Sequence, residues 1–176
     1  MTESGRSDYG AGFSTRPHAF DPVANPELFE GVPARRIVAF LIDFVIIAVP
    51  VVLAAMFIFA FGLVTLGLGW ALFWLLSPAS VIWALVYYGA TFGSPRSATI
   101  GMRVMDLEMR TWYGAPAYSV LGAVHAIGFW FSVSFLTPFV LLICFFNDRR
   151  RLLHDMLLGT VVINNPVRAQ MLRAMR

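Results

Sequence analysis

From Ile37 to Ala90 the chain runs for 54 residues with one formal charge, Asp43. About 20 helical residues cross the hydrocarbon core of a bilayer. The stretch is therefore too long for one span and too apolar to clothe a soluble domain. Gly62, Gly67 and Gly69 mark the natural place to turn. The reading is a first helix over about Ala34–Ala60 and a second over about Trp70–Thr91. Their connection carries no charge, as the positive-inside rule expects on the non-cytoplasmic side.

Composition agrees. The 176 residues are 59% hydrophobic and 13% charged, whereas an ordinary soluble domain carries about a quarter charged residues. A soluble enzyme and a disordered protein are excluded on that ground. The net charge of +3 invites a nucleic-acid reading, but all 13 basic residues are Arg and most flank apolar runs. Arg35 and Arg36 precede the first run, Arg96, Arg103 and Arg110 follow the second, and Arg149, Arg150 and Arg151 follow a third. Positive-inside topology places them so, and the implied partner is a lipid bilayer, with no nucleic acid. Cys144, the single cysteine, excludes an intramolecular disulfide and behaves as a small hydrophobe. No glycine-rich phosphate loop, nucleophile elbow or repeated CxxC is present, so neither catalysis nor a cofactor is expected.

Outside the first two helices the reading is more varied. Residues 1–33, rich in Pro and polar groups, read as a disordered cytosolic tail without a signal peptide, with a short helical turn around Pro26–Glu30. Over Val104–Arg110, Met105, Leu107 and Met109 alternate with Asp106, Glu108 and Arg110, a period of two that predicts a short strand. Thr160–Ile163 predicts its partner. Ala117–Phe146 would measure about 45 Å as one helix, longer than a bilayer core of about 30 Å. A single crossing would also put Arg149–Arg151 outside, so the segment reads as a shallow hairpin turning near Ser132–Ser134, with Pro138 opening the return leg. Leu152, Leu153, Met156 and Leu157 keep helical spacing and predict an amphipathic interfacial helix, ended by Gly159. The fold class is thus an all-α polytopic membrane protein: two full transmembrane helices, a shorter hairpin, an interfacial helix and two short cytosolic strands. Residues 34–164 form the membrane domain and 165–176 a basic tail, with both termini cytoplasmic.

Asp43 is the most informative residue. A carboxylate at membrane depth costs on the order of 2.5–3.5 kcal/mol on insertion scales and calls for a partner. Arg36, seven positions earlier, shares its helix face, but side chains tilt toward the helix N-terminus and Arg36 snorkels to the headgroups. Asp43 therefore looks to another segment, either as a hydrogen-bonded packing residue or as a proton or cation site. Asp155 stands four residues after Arg151, a pairing worth a few tenths of a kcal/mol. His154 beside Asp155 offers one imidazole and one carboxylate, too few for zinc, so no metal site is expected. His125 reads as a core or interface histidine with a satisfied ring.

Taken together, these stretches resemble the RDD family, named for one Arg and two Asp. Arg35-Arg36-Ile37-Val38-Ala39-Phe40-Leu41-Ile42-Asp43 is similar to its opening, with Arg36 and Asp43 at the signature positions. Arg151-Leu152-Leu153-His154-Asp155-Met156-Leu157-Leu158-Gly159-Thr160 is similar to its closing stretch and puts the second Asp at Asp155. Thr99-Ile100-Gly101-Met102-Arg103 resembles the family's central Thr-x-Gly-Lys segment. The resemblance covers about Val32–Asn164. Met102 stands where the family often has Lys, and His125 stands in for an Arg usual near the start of the later helix.

By that resemblance Arg36, Asp43 and Asp155 form the signature and the candidate ion or proton site. Thr99, Gly101, Arg103, Arg151, His154, Gly159 and Thr160 support them. The resemblance also implies a bacterial inner membrane. The function expected of this chain is an accessory or assembly component of a larger membrane complex. The alternative is a small homo-oligomeric secondary transporter exchanging cations and protons at Asp43.

Overall fold

A computed structural model describes residues 19–136 and 148–175. Two long apolar helices dominate it: α1, Val32–Val64, and α2, Phe73–Phe92. Both are long and apolar enough to cross a membrane. Their flanks stay exposed, with Phe57 68% and Trp74 87% accessible, the outward-facing pattern of helices solvated by lipid rather than by a core. The reversal between them is built locally. Thr65 donates its hydroxyl to the Phe61 carbonyl and accepts from the Gly69 amide at 2.7 Å each. Gly67 adopts φ +98°, open to glycine and strained for other residues. A 3-10 turn, Leu68–Leu72, then leads into α2.

At the opposite end the chain is polar and compact. A short helix, α3, Ile100–Val104, runs into strand β1, Leu107–Thr111. Next come helix α4, Ser119–Leu136, and a short helix α5, Leu153–Leu157. Strand β2, Thr160–Asn164, and helix α6, Pro166–Ala174, complete the chain. The strands pair antiparallel, with Met109 opposite Val162. Two strands alone are marginal in water, and here both faces are covered. Leu107, Met109 and Val162 join a core with Val32, Ala39 and Tyr88, while Val161 and Ile163 pack against Phe29. Helices α2 and α4 meet through small residues: a methyl group at Gly122 would lie 2.5 Å from Phe92, the close approach that small residues permit.

Several expectations are corrected. The N-terminal segment is ordered well before Pro33. From Ala19 it docks on the sheet, with Phe29 and Glu27 buried and a 3-10 turn at Pro26–Leu28. Apolar Phe20, Leu28 and Phe29 cover a face that would otherwise be wet. Residues 1–18 lie outside the described residues. The basic tail is a helix, α6, with Ala169 and Leu172 buried. Helix α4 does not turn at Ser132–Ser134 but runs on to Leu136. Ser132 bonds back to the Gly128 carbonyl at 2.6 Å, so its hydroxyl is satisfied inside the helix. Pro138 and the expected return leg lie outside the described residues. The strand expected from Val104 begins at Leu107, because α3 and a left-handed Asp106 (φ +52°) occupy the residues before it.

Helix α5 buries polar side chains: His154 and Asp155 lie inside, while Met156 and Leu157 are exposed, on the side an interfacial helix turns to lipid.

Candidate functional site

Asp43 is buried against α2 and α3 rather than against its own helix. Its Oδ1 accepts from the Tyr87 hydroxyl at 2.5 Å and the Gly101 amide at 2.8 Å. Its Oδ2 accepts from the Thr99 hydroxyl at 2.6 Å. Thr99 also caps α3, accepting from the Met102 amide at 3.1 Å. The carboxylate thus ties three helices together at the first turn of α3. Gly101 is required by proximity, since a Cβ there would lie 2.1 Å from the Ala39 carbonyl oxygen. Met102 packs into the core, which an ammonium in its place could not do without a partner. Arg103 closes the end of α2, donating to the Ala98 carbonyl at 3.0 Å and the Ser94 hydroxyl at 2.8 Å.

The 21 residues that follow Asp43 in α1, up to Val64, measure about 32 Å at 1.5 Å per residue. That length alone matches a hydrocarbon core of about 30 Å.

Arg36 and Asp155 are partners. Arg36 Nη1 donates to Asp155 Oδ2 at 2.6 Å, and both side chains are largely buried. This corrects two expectations: Arg36 does not reach for the headgroups, and Asp155 does not pair its carboxylate with Arg151. The Leu152 amide also donates to Oδ2 at 2.9 Å. Arg151 instead donates to the backbone carbonyls of Asp155 (2.8 Å) and Thr160 (2.9 Å) and stacks on Trp112. Gly159 (φ +62°) turns the chain from α5 into β2, where Thr160 is fully buried.

The electrostatics follow the geometry. Burial would raise Asp155, but Arg36, with His125 and His154, outweighs it and holds the carboxyl well below its ordinary range. Burial pushes His154 down to about 4, aided by the Arg36 charge and opposed by Asp155. Arg151 is lowered, by burial foremost.

The structure adds residues that carried no local signal. Tyr87 is a partner of Asp43. Arg35 donates to Asn164 and pairs with Asp106. Asn164 in turn donates to the carbonyls of Glu27 and Glu30. His125 comes to His154 and Asp155, its Nε2 3.6 Å from Asp155 Oδ1. Its expected satisfied ring is corrected, since Nδ1 has no hydrogen-bond partner.

The sequence model of the RDD family matches residues 31–159. The matched span runs from the residue before α1 through α5 to the turn at Gly159, and it holds every signature position described above. No curated protein and no solved structure matches the chain.

Proposed function

Since the chain belongs to the RDD family, we propose that it serves as a non-catalytic component of a larger membrane complex, packing against that complex or aiding its assembly. The membrane is taken to be a bacterial inner membrane, with multiple passes and both termini cytoplasmic. One observation carries this reading: both oxygens of Asp43 are already engaged, by Tyr87, Thr99 and Gly101. Arg36 is likewise engaged, by Oδ2 of Asp155. The signature residues build the fold, and what they leave for function is the outward apolar surface of α1 and α2. The rival, cation–proton exchange at Asp43, needs a carboxylate free to take an ion.

The test is purification from native membranes in mild detergent without a polyhistidine tag, with every co-eluting protein quantified. A stoichiometric larger complex supports the accessory role. A lone homo-oligomer that drives cation-dependent proton flux in proteoliposomes, and loses it in Asp43→Asn at normal expression, overturns it.

A further inference from the structure

Where α5 rests on α4, three chemically matched side chains converge. His125 comes from α4, and His154 and Asp155 from α5, each more than nine-tenths buried. One ligand atom from each lies within 4.8 Å of the others. The Nε2 atoms of His125 and His154 stand 3.6 and 3.5 Å from Asp155 Oδ1. Those separations are too long for hydrogen bonds. They are close to the roughly 3.3–3.5 Å between two N or O ligands on one tetrahedral zinc, given metal–ligand bonds of about 2.0–2.2 Å.

Two of the three facing atoms, His154 Nε2 and Asp155 Oδ1, are buried without a hydrogen-bond partner among the described residues, and buried polar groups in native proteins are almost always paired. The second oxygen of Asp155 is fixed by Arg36 and the Leu152 amide, the kind of outer support that orients a metal-bound carboxylate. Gly128 lets α5 sit close, its missing methyl group lying 3.3 Å from the His154 Cβ.

We propose that His125, His154 and Asp155 form a binding site for one divalent first-row transition-metal ion, clasping α5 onto α4. Two imidazoles and one carboxylate suit zinc and its neighbours, not magnesium or calcium, which take oxygen ligands. The adjacent Arg36 charge works in the same direction, penalising any cation that lacks strong bonds to imidazole. With three protein ligands the fourth position stays open. This site is independent of whether the chain serves a larger complex.

The probe is Zn2+, added to the detergent-purified full chain carrying a non-histidine tag and cleared of metal with a chelator. One equivalent binds per chain, raises the melting temperature and is not displaced by excess Mg2+. His125→Gln and His154→Gln each weaken Zn2+ binding at least about tenfold. His18→Gln, the remaining one of the three histidines, leaves it unchanged. No stoichiometric Zn2+, or binding unaltered in both Gln variants, overturns the site. Should either variant fail to fold, the Co2+ spectrum of the unaltered chain decides. Intense tetrahedral bands support ligation there, and the weak bands of a hydrated ion refute it.

Discussion

Asp43→Ala removes the acceptor for three donors at once. Hydrogen bonds to charged groups contribute roughly 1.5–3 kcal/mol each, and Tyr87, Thr99 and Gly101 are all buried, so water does not readily replace the carboxylate. A loss of at least about 4 kcal/mol is expected, in the range reserved for broken buried networks. Asp43→Asn keeps the volume and one oxygen, which still serves Tyr87 and Gly101. Its NH2 donates where Oδ2 accepted, which leaves the Thr99 hydroxyl proton without that acceptor and removes all charge assistance, about 2–3 kcal/mol. Tyr87→Phe removes the bond to Asp43 and the 3.3 Å bond its hydroxyl accepts from the Ile100 amide, and costs about 1.5–3 kcal/mol. In an Asp43→Ala background the same change costs less, because the carboxylate acceptor has gone and only the Ile100 bond is left to lose. The assay is denaturant unfolding of the five purified proteins in one detergent. If Asp43→Ala unfolds within about 1 kcal/mol of the unaltered chain, or if the Tyr87→Phe cost is the same in both backgrounds, the three-helix tie is refuted.

Gly101→Ala forces α1 and α3 apart, since its methyl group has no space beside the Ala39 carbonyl. Overpacking of about 1–3 kcal/mol plus a strained Gly101–Asp43 bond should lower the unfolding midpoint more than Gly89→Ala does, where a Cβ meets nothing nearer than the Ser119 carbonyl oxygen at 3.4 Å, and equal midpoints would contradict the close approach. Arg36→Met strips the guanidinium from a fully buried Asp155 and costs about 3–5 kcal/mol, part of which returns in Arg36→Met/Asp155→Leu; strict additivity would mean the pair does not interact. A reporter fused after Arg176 reads cytoplasmic; a periplasmic signal sinks the proposed orientation.

The long helices were legible because hydropathy over tens of residues is a one-dimensional signal, and the strands because alternation is local. Asp43 declared its need for a partner on another segment, although nothing near it named Tyr87. The Arg36–Asp155 pair spans 119 positions, so the sequence offered only the adjacent and weaker Arg151. His125, carried on another helix, is hidden for the same reason, so the sequence presents one imidazole and one carboxylate as the whole inventory. Ser132 misled because a hydroxyl that reads as a turn signal in water is easily satisfied inside a helix by its own backbone. That His154 and Asp155 of α5 pack inward could not be foreseen either: leucine spacing tells which residues share a face, not what the opposite face packs against.

The reversal at Thr65–Leu72 bears on how such a molecule reaches its membrane. Between Asp43 and Arg96 no residue carries a formal charge, and the hairpin tip ties up its polar groups in bonds to itself. Each Asp, Lys or Arg drawn to the middle of a membrane helix adds roughly 2.5–3.5 kcal/mol on the insertion scale. The α1–α2 pair avoids every such barrier when it enters tip first. In the proposed orientation, with both termini cytoplasmic, its charged groups remain on the side of synthesis.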